Sequence, residues 1–548
     1  MGKRPNTPRN EAAADSRQAG GGRPFDSRRV KLGLGLALLA AIIVAFGLWS
    51  SNLIDDDAFI FFRYADNIVD GNGPTWNPGG ERVEGYSSFL WLMILVGARA
   101  AGLDAVLAAH LLNGFFLLAA IIVSGWLVKE LDGRWTSTSI TTAMLLATSA
   151  AFTMWSRIGM ETMLFAALLV LAVTLTIRRS ESRFELLATG LVHGLMILTR
   201  PEGALLTAVC LGWVILENRR AQRPLFGRPE ILWLTGLALV IAPHLIWRYS
   251  YYHSWLPNTY YAKVGMREGV INRGLGGLLS YLDSIRGVLT VAALAFWFTR
   301  GNRREARLLL AALIAWVLYL VVFLGLPAWN LWYSMPVDLF TLLLLGLAAG
   351  RIATNATGEG GWASRRWLTA AGLIIVLVNV SPAIVGNRTE GKGIRLAVLD
   401  PPTDTRVHQF ATIGTTLRRI APSGTTVAVG ACGAIPYYSG LVTYDVLGLN
   451  DRHIAHTTMT GPATDAFGHE KGDGAYILSR KPTILIPLPL LTRRPTQGHA
   501  GFEKSFIEIY QHPAFRRDYE YQNIQLEEGP YAGRFVNFWR RIEGGSGS

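Results

Sequence analysis

The chain has 548 residues, of which 50% are hydrophobic and only 17% charged, with a mean hydropathy of +0.28. Repeated membrane-length apolar runs make it a polytopic membrane protein and exclude a single large soluble core. The net charge of +13 does not point to nucleic acid, because the basic residues sit in short connectors between apolar runs, as expected of cytoplasmic loops facing anionic lipid.

Residues 1–31 are basic and polar, lack an apolar signal-type stretch, and read as a disordered cytoplasmic tail. Membrane spans are expected at 32–50, 105–128, 136–153, 161–178, 184–199, 203–217, 229–249, 284–299, 305–324, 334–352 and 366–386. The apolar part of 86–102 is too short to span and runs into Gly97 and Arg99, so it reads as a juxtamembrane helix of the first outer loop, 51–104. Counting it as a span would put Arg178/Arg179, Arg219/Arg220 and Arg303/Arg304 outside, against the positive-inside rule. The eleven-span map gathers the unusual polar clusters on the outer face: the Asp55–Glu84 loop, Trp155–Glu161, Arg200-Pro201-Glu202-Gly203, Arg248–Lys263 and Trp329–Tyr333.

The membrane domain is thus expected over 32–386, and an extracytoplasmic α/β domain over 387–543, with buried strands near 425–430 and 483–488. Gly544–Ser548 reads as a cloning scar. Cys210 and Cys432 give no disulfide framework.

The first outer loop opens on Asp55-Asp56-Asp57-Ala58-Phe59-Ile60-Phe61-Phe62-Arg63-Tyr64. Three adjacent carboxylates repel, so at least one should have a raised pKa. That is a poor way to end a helix and a good way to build a general base. A solvated acidic stop is the plainer alternative. Arg157 and Glu161, four apart, are either a local ion pair or a substrate-placing pair with Arg157 on a phosphate. Arg200-Pro201 is a turn between two spans, whose flanking Arg and Glu also suit an anion. In Pro257–Lys263, the tyrosines serve as interface anchors or, with Lys263, hold a phosphate at headgroup depth. Residues 430–440 and 445–451 look like loops at strand ends, which carry binding residues or pack on the membrane domain. His244, His253, His453, His456 and His469 show no metal-ligand spacing, which leaves a carboxylate site as the one place for a metal; no metal and no other cofactor is expected.

With DDAFIFFRYADNIVDGNGPTWNPGGERVEGYSSFLW, RIGMET, TRPEG, LPNTYYAK, GACGAIPYYSGLVTYDVLGLND and GHEKGDGAYILSRKPT, most of residues 32–490 resembles the GT-C glycosyltransferases. The likeness is greatest to the terminal β-(1→2)-arabinofuranosyltransferases of mycobacterial and corynebacterial cell walls. The resemblance implies a multi-pass enzyme of the bacterial plasma membrane. It would move a sugar such as arabinofuranose, or another lipid-linked sugar such as mannose, from a polyprenyl-phosphate donor to a cell-envelope polysaccharide at the outer face. Asp56 and Asp57 match the paired acids, one as base or nucleophile and the other orienting it. Arg63, Arg157, Arg200 and Lys263 are the expected phosphate ligands. Glu84, Tyr86, Glu161, Glu202, Asn258, Tyr260 and Tyr261 are the expected remaining substrate contacts. The rival reading is a lipid or glycan transporter, which should carry midplane ionisable groups and repeated halves; no repeat is visible.

Overall fold

The structure, a computed structural model, describes residues 54–133, 135–265, 267–300, 304–327, 332–356, 406–459, 461–464, 466–497 and 503–542. The expected tail, the spans at 32–50 and 366–386, and the scar lie outside these residues.

The first loop begins with helix α1 (Asp56–Val69), followed by α2 (Phe89–Ala100). At 12 residues, about 18 Å, α2 is too short to cross a bilayer. The bundle continues with α3 (Ala105–Asp132), α4 (Ser137–Ala147), α5 (Ala150–Trp155), α6 (Thr162–Arg178), α7 (Arg183–Thr199), α8 (Gly203–Arg220) and α9 (Arg228–Tyr252). Then come the short α10 (Asn258–Lys263), α11 (Val270–Leu282), α12 (Ile285–Arg300), α13 (Arg304–Leu318) and α14 (Met335–Ala356).

Helices occupy every expected span within the described residues. Among the described residues, however, length and apolarity alone qualify four segments as crossings: Ala105–Asp132, Arg228–Tyr252, Ala306–Leu324 and Trp332–Ala349. The pair Val270–Leu282 and Arg286–Phe298, bent by 88°, makes a fifth. Two of the expected eleven lie outside the described residues, Thr162–Arg178 falls short at 17 residues, and polar interruptions account for others. The 136–153 run breaks at Thr148-Ser149, where the Thr148 hydroxyl turns back to the Met144 carbonyl. The 203–217 run extends into Glu217, Asn218, Arg219 and Arg220. Helix α11 was not foreseen as an element; it carries exposed Ile271, Leu275 and Leu279 along one side. Helix α13 continues into a π-helical turn, Tyr319–Leu324, closed by Gly325 in the left-handed region.

The last part of the chain is an α/β domain: α15 (Arg406–Ile420), β1 (Thr426–Val429), α16 (Ala434–Ser439), β2 (Val442–Asp445), α17 (Arg452–Ala455), α18 (Gly474–Ser479), β3 (Ile484–Ile486), α19 (Lys504–Gln511), α20 (Pro513–Asp518), β4 (Tyr519–Gln525) and β5 (Phe535–Arg541). The sheet order is β2-β1-β3-β5-β4, with β1 parallel to both neighbours and β5 antiparallel to β3 and β4. Both strands expected from the sequence are present. Alternation splits their side chains: Val427, Val429, Ile484 and Ile486 join the core that runs into the membrane domain. Ala428 and Leu485 join a second core with Phe506 and Phe515.

Candidate active site

The three aspartates begin a helix rather than ending one. Asp55 is the N-cap of α1, and its Oδ1 accepts the Asp57 N–H at 3.0 Å. Asp56 and Asp57 fill the first turn, where carboxylates complement the helix dipole. Successive helical positions point in different directions, so the three acids separate. The Asp56 carboxylate faces the α/β domain and accepts the backbone N–H groups of Gly433 (3.1 Å) and Ala434 (2.7 Å). Burial pushes its pKa up to about 7, against the pull of those two donors. Burial, with Asp57 beside it, also raises Asp55. Gly433 sits so close that a Cβ there would lie 1.9 Å from the Asp56 carbonyl oxygen.

Asp57 instead lines a cavity of about 360 Å³ between the helix ends and the α/β domain. Its Oδ2 is 3.7 Å from Lys263 Nζ, a loose pair. Burial opposes the charge on Lys263, but Tyr333, Asp57, Cys432 and Asp55 together raise its pKa. Opposite stand Glu161, Arg200 and Glu202. Arg200 Nε and Nη2 both bond Glu161 Oε1, at 2.8 and 2.7 Å. Glu161 Oε2 is buried with no hydrogen-bond partner among the described residues. The Arg200 guanidinium also lies over the Tyr333 ring, 5.2 Å from its centroid. The other walls are largely apolar, including Ile60, Phe61, Leu205, Leu256, Val264 and Leu324. Among the described residues, no three His, Cys, Asp or Glu side chains converge to hold a metal ion.

Of the expected site residues, Asp57, Tyr86, Glu161, Arg200, Glu202, Tyr260 and Lys263 line this cavity. Arg63 does not. Its donors go to Trp76 O, Asn77 Oδ1, Pro436 O and Leu441 O, so it staples α1 to its own loop and to the α/β domain, leaving no fork for a phosphate. Arg157 is also absent from the lining. Residues 156–161 form a turn rather than a helix, which removes the four-residue spacing argument and gives Glu161 to Arg200. Glu84 is held by buried Arg248, with Oε1 2.9 Å from Nη2 and Oε2 2.8 Å from Nε. Asn258 Nδ2 reaches the carbonyls of Gly448 and Leu449, at 2.8 and 3.0 Å, and Tyr261 stacks on His456. Glu84, Asn258 and Tyr261 therefore brace the cavity from outside. Asp56 likewise stands behind Asp57 rather than in the lining.

The lining also includes Tyr319, Ser87, Trp332 and Tyr333, none of them named as a site residue from the sequence. The Trp329–Tyr333 cluster was a signal for Trp332 and Tyr333; Tyr319 had none, because a lone Tyr in an apolar run looks like core.

Residues 99–247 match the family described as dolichyl-phosphate-mannose-protein mannosyltransferase, and residues 398–539 match a domain of unknown function, DUF8728. Structurally, the chain is similar to ArnT from Cupriavidus metallidurans. The apo form gives a TM-score of 0.55 at 14% identity, covering 76% of this chain and 85% of that one. The form bound to undecaprenyl phosphate gives 0.52 at 14%, covering 76% and 86%. The chain shares the fold of ArnT. In sequence, the chain is 28% identical over 249 residues to the terminal beta-(1->2)-arabinofuranosyltransferase of Mycobacterium tuberculosis, covering 43% of this chain and 39% of that protein. It is 44% identical over 55 residues to the enzyme of the same description from Corynebacterium glutamicum, covering 10% and 8%. The chain thus spans less than half the length of either relative.

Proposed function

We propose that this chain is a membrane glycosyltransferase. It takes arabinofuranose from a polyprenyl-phosphate donor and places it on a cell-envelope glycan at the outer face of the bacterial plasma membrane. The observation that carries the reading is the cavity in which Asp57 stands 3.7 Å from Lys263, across from Arg200. A base, phosphate-binding cations and an apolar wall share one chamber. Similarity to ArnT, solved with undecaprenyl phosphate, supports a lipid-phosphate donor. Similarity to two arabinofuranosyltransferases supports the sugar.

In the reaction, the acceptor hydroxyl oxygen bonds to C1 of the donor sugar as the C1–O bond to phosphate breaks. Asp57 receives the hydroxyl proton, and the polyprenyl phosphate leaves with the bond's electron pair. Lys263 and Arg200 offset its charge, so no acid is needed to protonate the leaving oxygen. Asp56, fixed by two backbone donors, holds the first turn of α1 so that Asp57 faces the chamber. Glu161 Oε2 is available to a sugar hydroxyl.

The test is transfer by protein reconstituted in lipid, comparing wild type with Asp57→Asn on lipid-linked arabinofuranose and lipid-linked mannose. Transfer from the first donor, lost in the variant, supports the whole reading. Transfer only from the mannosyl donor removes arabinose and keeps the transferase. Transfer from neither overturns the reading.

A further inference from the structure

A second, larger depression, about 930 Å³, lies between the first loop of the membrane domain and the α/β domain. Trp76–Glu81 form one wall; β2 and the segment Asn450–Thr457 form the other, with Tyr476 and Arg480 at the side. None of the groups assigned to the reaction lines it. It shares a wall with the reaction chamber, because Leu449 lines the chamber while Asn450 and Asp451 line the groove. That wall is stiff. The Asp445 carboxylate accepts the N–H groups of Leu447 (2.8 Å), Gly448 (3.2 Å) and Asn450 (2.7 Å), while Asn258 ties the same loop to α10.

The groove's chemistry narrows its occupant. Three carboxylates (Glu81, Asp445, Asp451) and two guanidinium groups (Arg452, Arg480) line it together. Near-balanced charge suits neither a phosphate nor a cation. A peptide strand cannot add to the free edge of β2 at its centre, because Asn77 already takes both backbone groups of Thr443, at 2.9 and 3.1 Å. What remains is an array of flat, preorganised polar groups. Tyr476 carries His453 stacked at 4.0 Å, its hydroxyl bonds Asp451 at 3.0 Å, and Arg480 lies over Tyr444. Fixed aromatic faces with donors and acceptors side by side match a neutral polyhydroxylated chain and lose little entropy on binding it. The volume is at the upper end for small-molecule pockets, room for several sugar rings.

We infer that this interdomain groove is a carbohydrate subsite that holds a neutral glycan acceptor several sugar units away from its reacting end. This rests on the transferase reading for the role of the bound glycan, but binding itself can be measured without it.

Glu81 and Arg480 are exposed and outside the chamber, so the double variant Glu81→Gln/Arg480→Ala should fold. Two probes are used on full-length protein in nanodiscs: a short and a long neutral arabinofuranosyl oligosaccharide, titrated without lipid donor. The long probe should bind, the short one at least tenfold more weakly, and the double variant should lose most of the difference. In transfer assays the variant should raise KM at least tenfold for the long acceptor, with kcat and the KM of the short acceptor unchanged. Equal binding of the long probe by wild type and variant, or no binding by wild type, overturns the subsite. Variant-sensitive binding in a protein that transfers from no lipid-linked sugar would keep the subsite and overturn the transferase. Transfer with an unchanged KM for the long acceptor would do the reverse.

Discussion

Gly433→Ala tests the joint between the two domains. The new methyl would lie 1.9 Å from the Asp56 carbonyl oxygen and 2.6 Å from that residue's carbonyl carbon and Cγ, where ordinary contact begins at 3.4 Å. None of these atoms is the tip of a flexible side chain, so α16 and α1 must part by about 1.5 Å. That separation breaks the two bonds from Gly433 and Ala434 to the Asp56 carboxylate, now 3.1 and 2.7 Å. Each is worth about 0.5–1.5 kcal/mol, and overpacking adds about 1–3 kcal/mol. Domain docking should therefore weaken by about 2–6 kcal/mol. Because Asp56 orients the turn that presents Asp57, transfer activity should fall with it. The assay pairs thermal unfolding, followed by tryptophan fluorescence, with transfer in reconstituted lipid. Gly212→Ala is the control, since a Cβ at that helical position meets nothing within 4 Å. If Gly433→Ala melts and turns over like wild type, the tight contact between Asp56 and Gly433 is wrong, and with it the positioning role of Asp56.

Asp57→Asn should lower turnover by about 10²- to 10⁴-fold with little change in melting, as the side chain is partly exposed; normal turnover would remove it as the base. Lys263→Met should raise the donor concentration needed for half-maximal transfer about 10- to 150-fold, equivalent to about 1.5–3 kcal/mol, while Arg63→Met should lower the melting temperature and leave donor dependence alone; the reverse pattern in a donor titration would exchange their roles. Arg200→Met strands the buried Glu161 carboxylate, at a cost of about 3–5 kcal/mol, and adding Glu161→Gln should restore expression, as read by size-exclusion chromatography. Asp56 has a folded pKa of about 7 against about 3.9 unfolded. The folded state therefore binds more protons between these values, and its contribution to stability is lost as pH rises through that window. The melting temperature should fall from pH 5 to pH 8, less steeply in Asp56→Asn; an unchanged slope in the variant would assign the dependence to other groups.

The sequence exposed the helical segments and the clusters that form the chamber, because hydropathy marks helices and charge is conspicuous at their ends. It misassigned individual side chains for a physical reason. Arg63 and Lys263 look alike in sequence, yet one is surrounded by carbonyl oxygens from residues 76, 436 and 441 and the other opens to the chamber. Only three-dimensional proximity separates a satisfied cation from an available one. Arg157 and Glu161 were paired on helical spacing, but Gly159 adopts a left-handed conformation and turns the chain there. The groove beside β2 was invisible, since its walls come from segments more than 350 residues apart, as the Asn77–Thr443 bond illustrates.

The Arg63 staple also has a consequence for biosynthesis. Two of its acceptors, Pro436 O and Leu441 O, lie 373 and 378 residues downstream. Until that later part of the chain has been made and has docked, the buried guanidinium lacks half its hydrogen bonds, and the Asp56 carboxylate in the first turn of α1 lacks the backbone N–H donors of Gly433 and Ala434. A nascent chain holding only the membrane helices would have the bundle but not a closed chamber. On the proposed function, the chamber would be ready for a lipid-linked sugar only once the α/β domain has docked on the bundle.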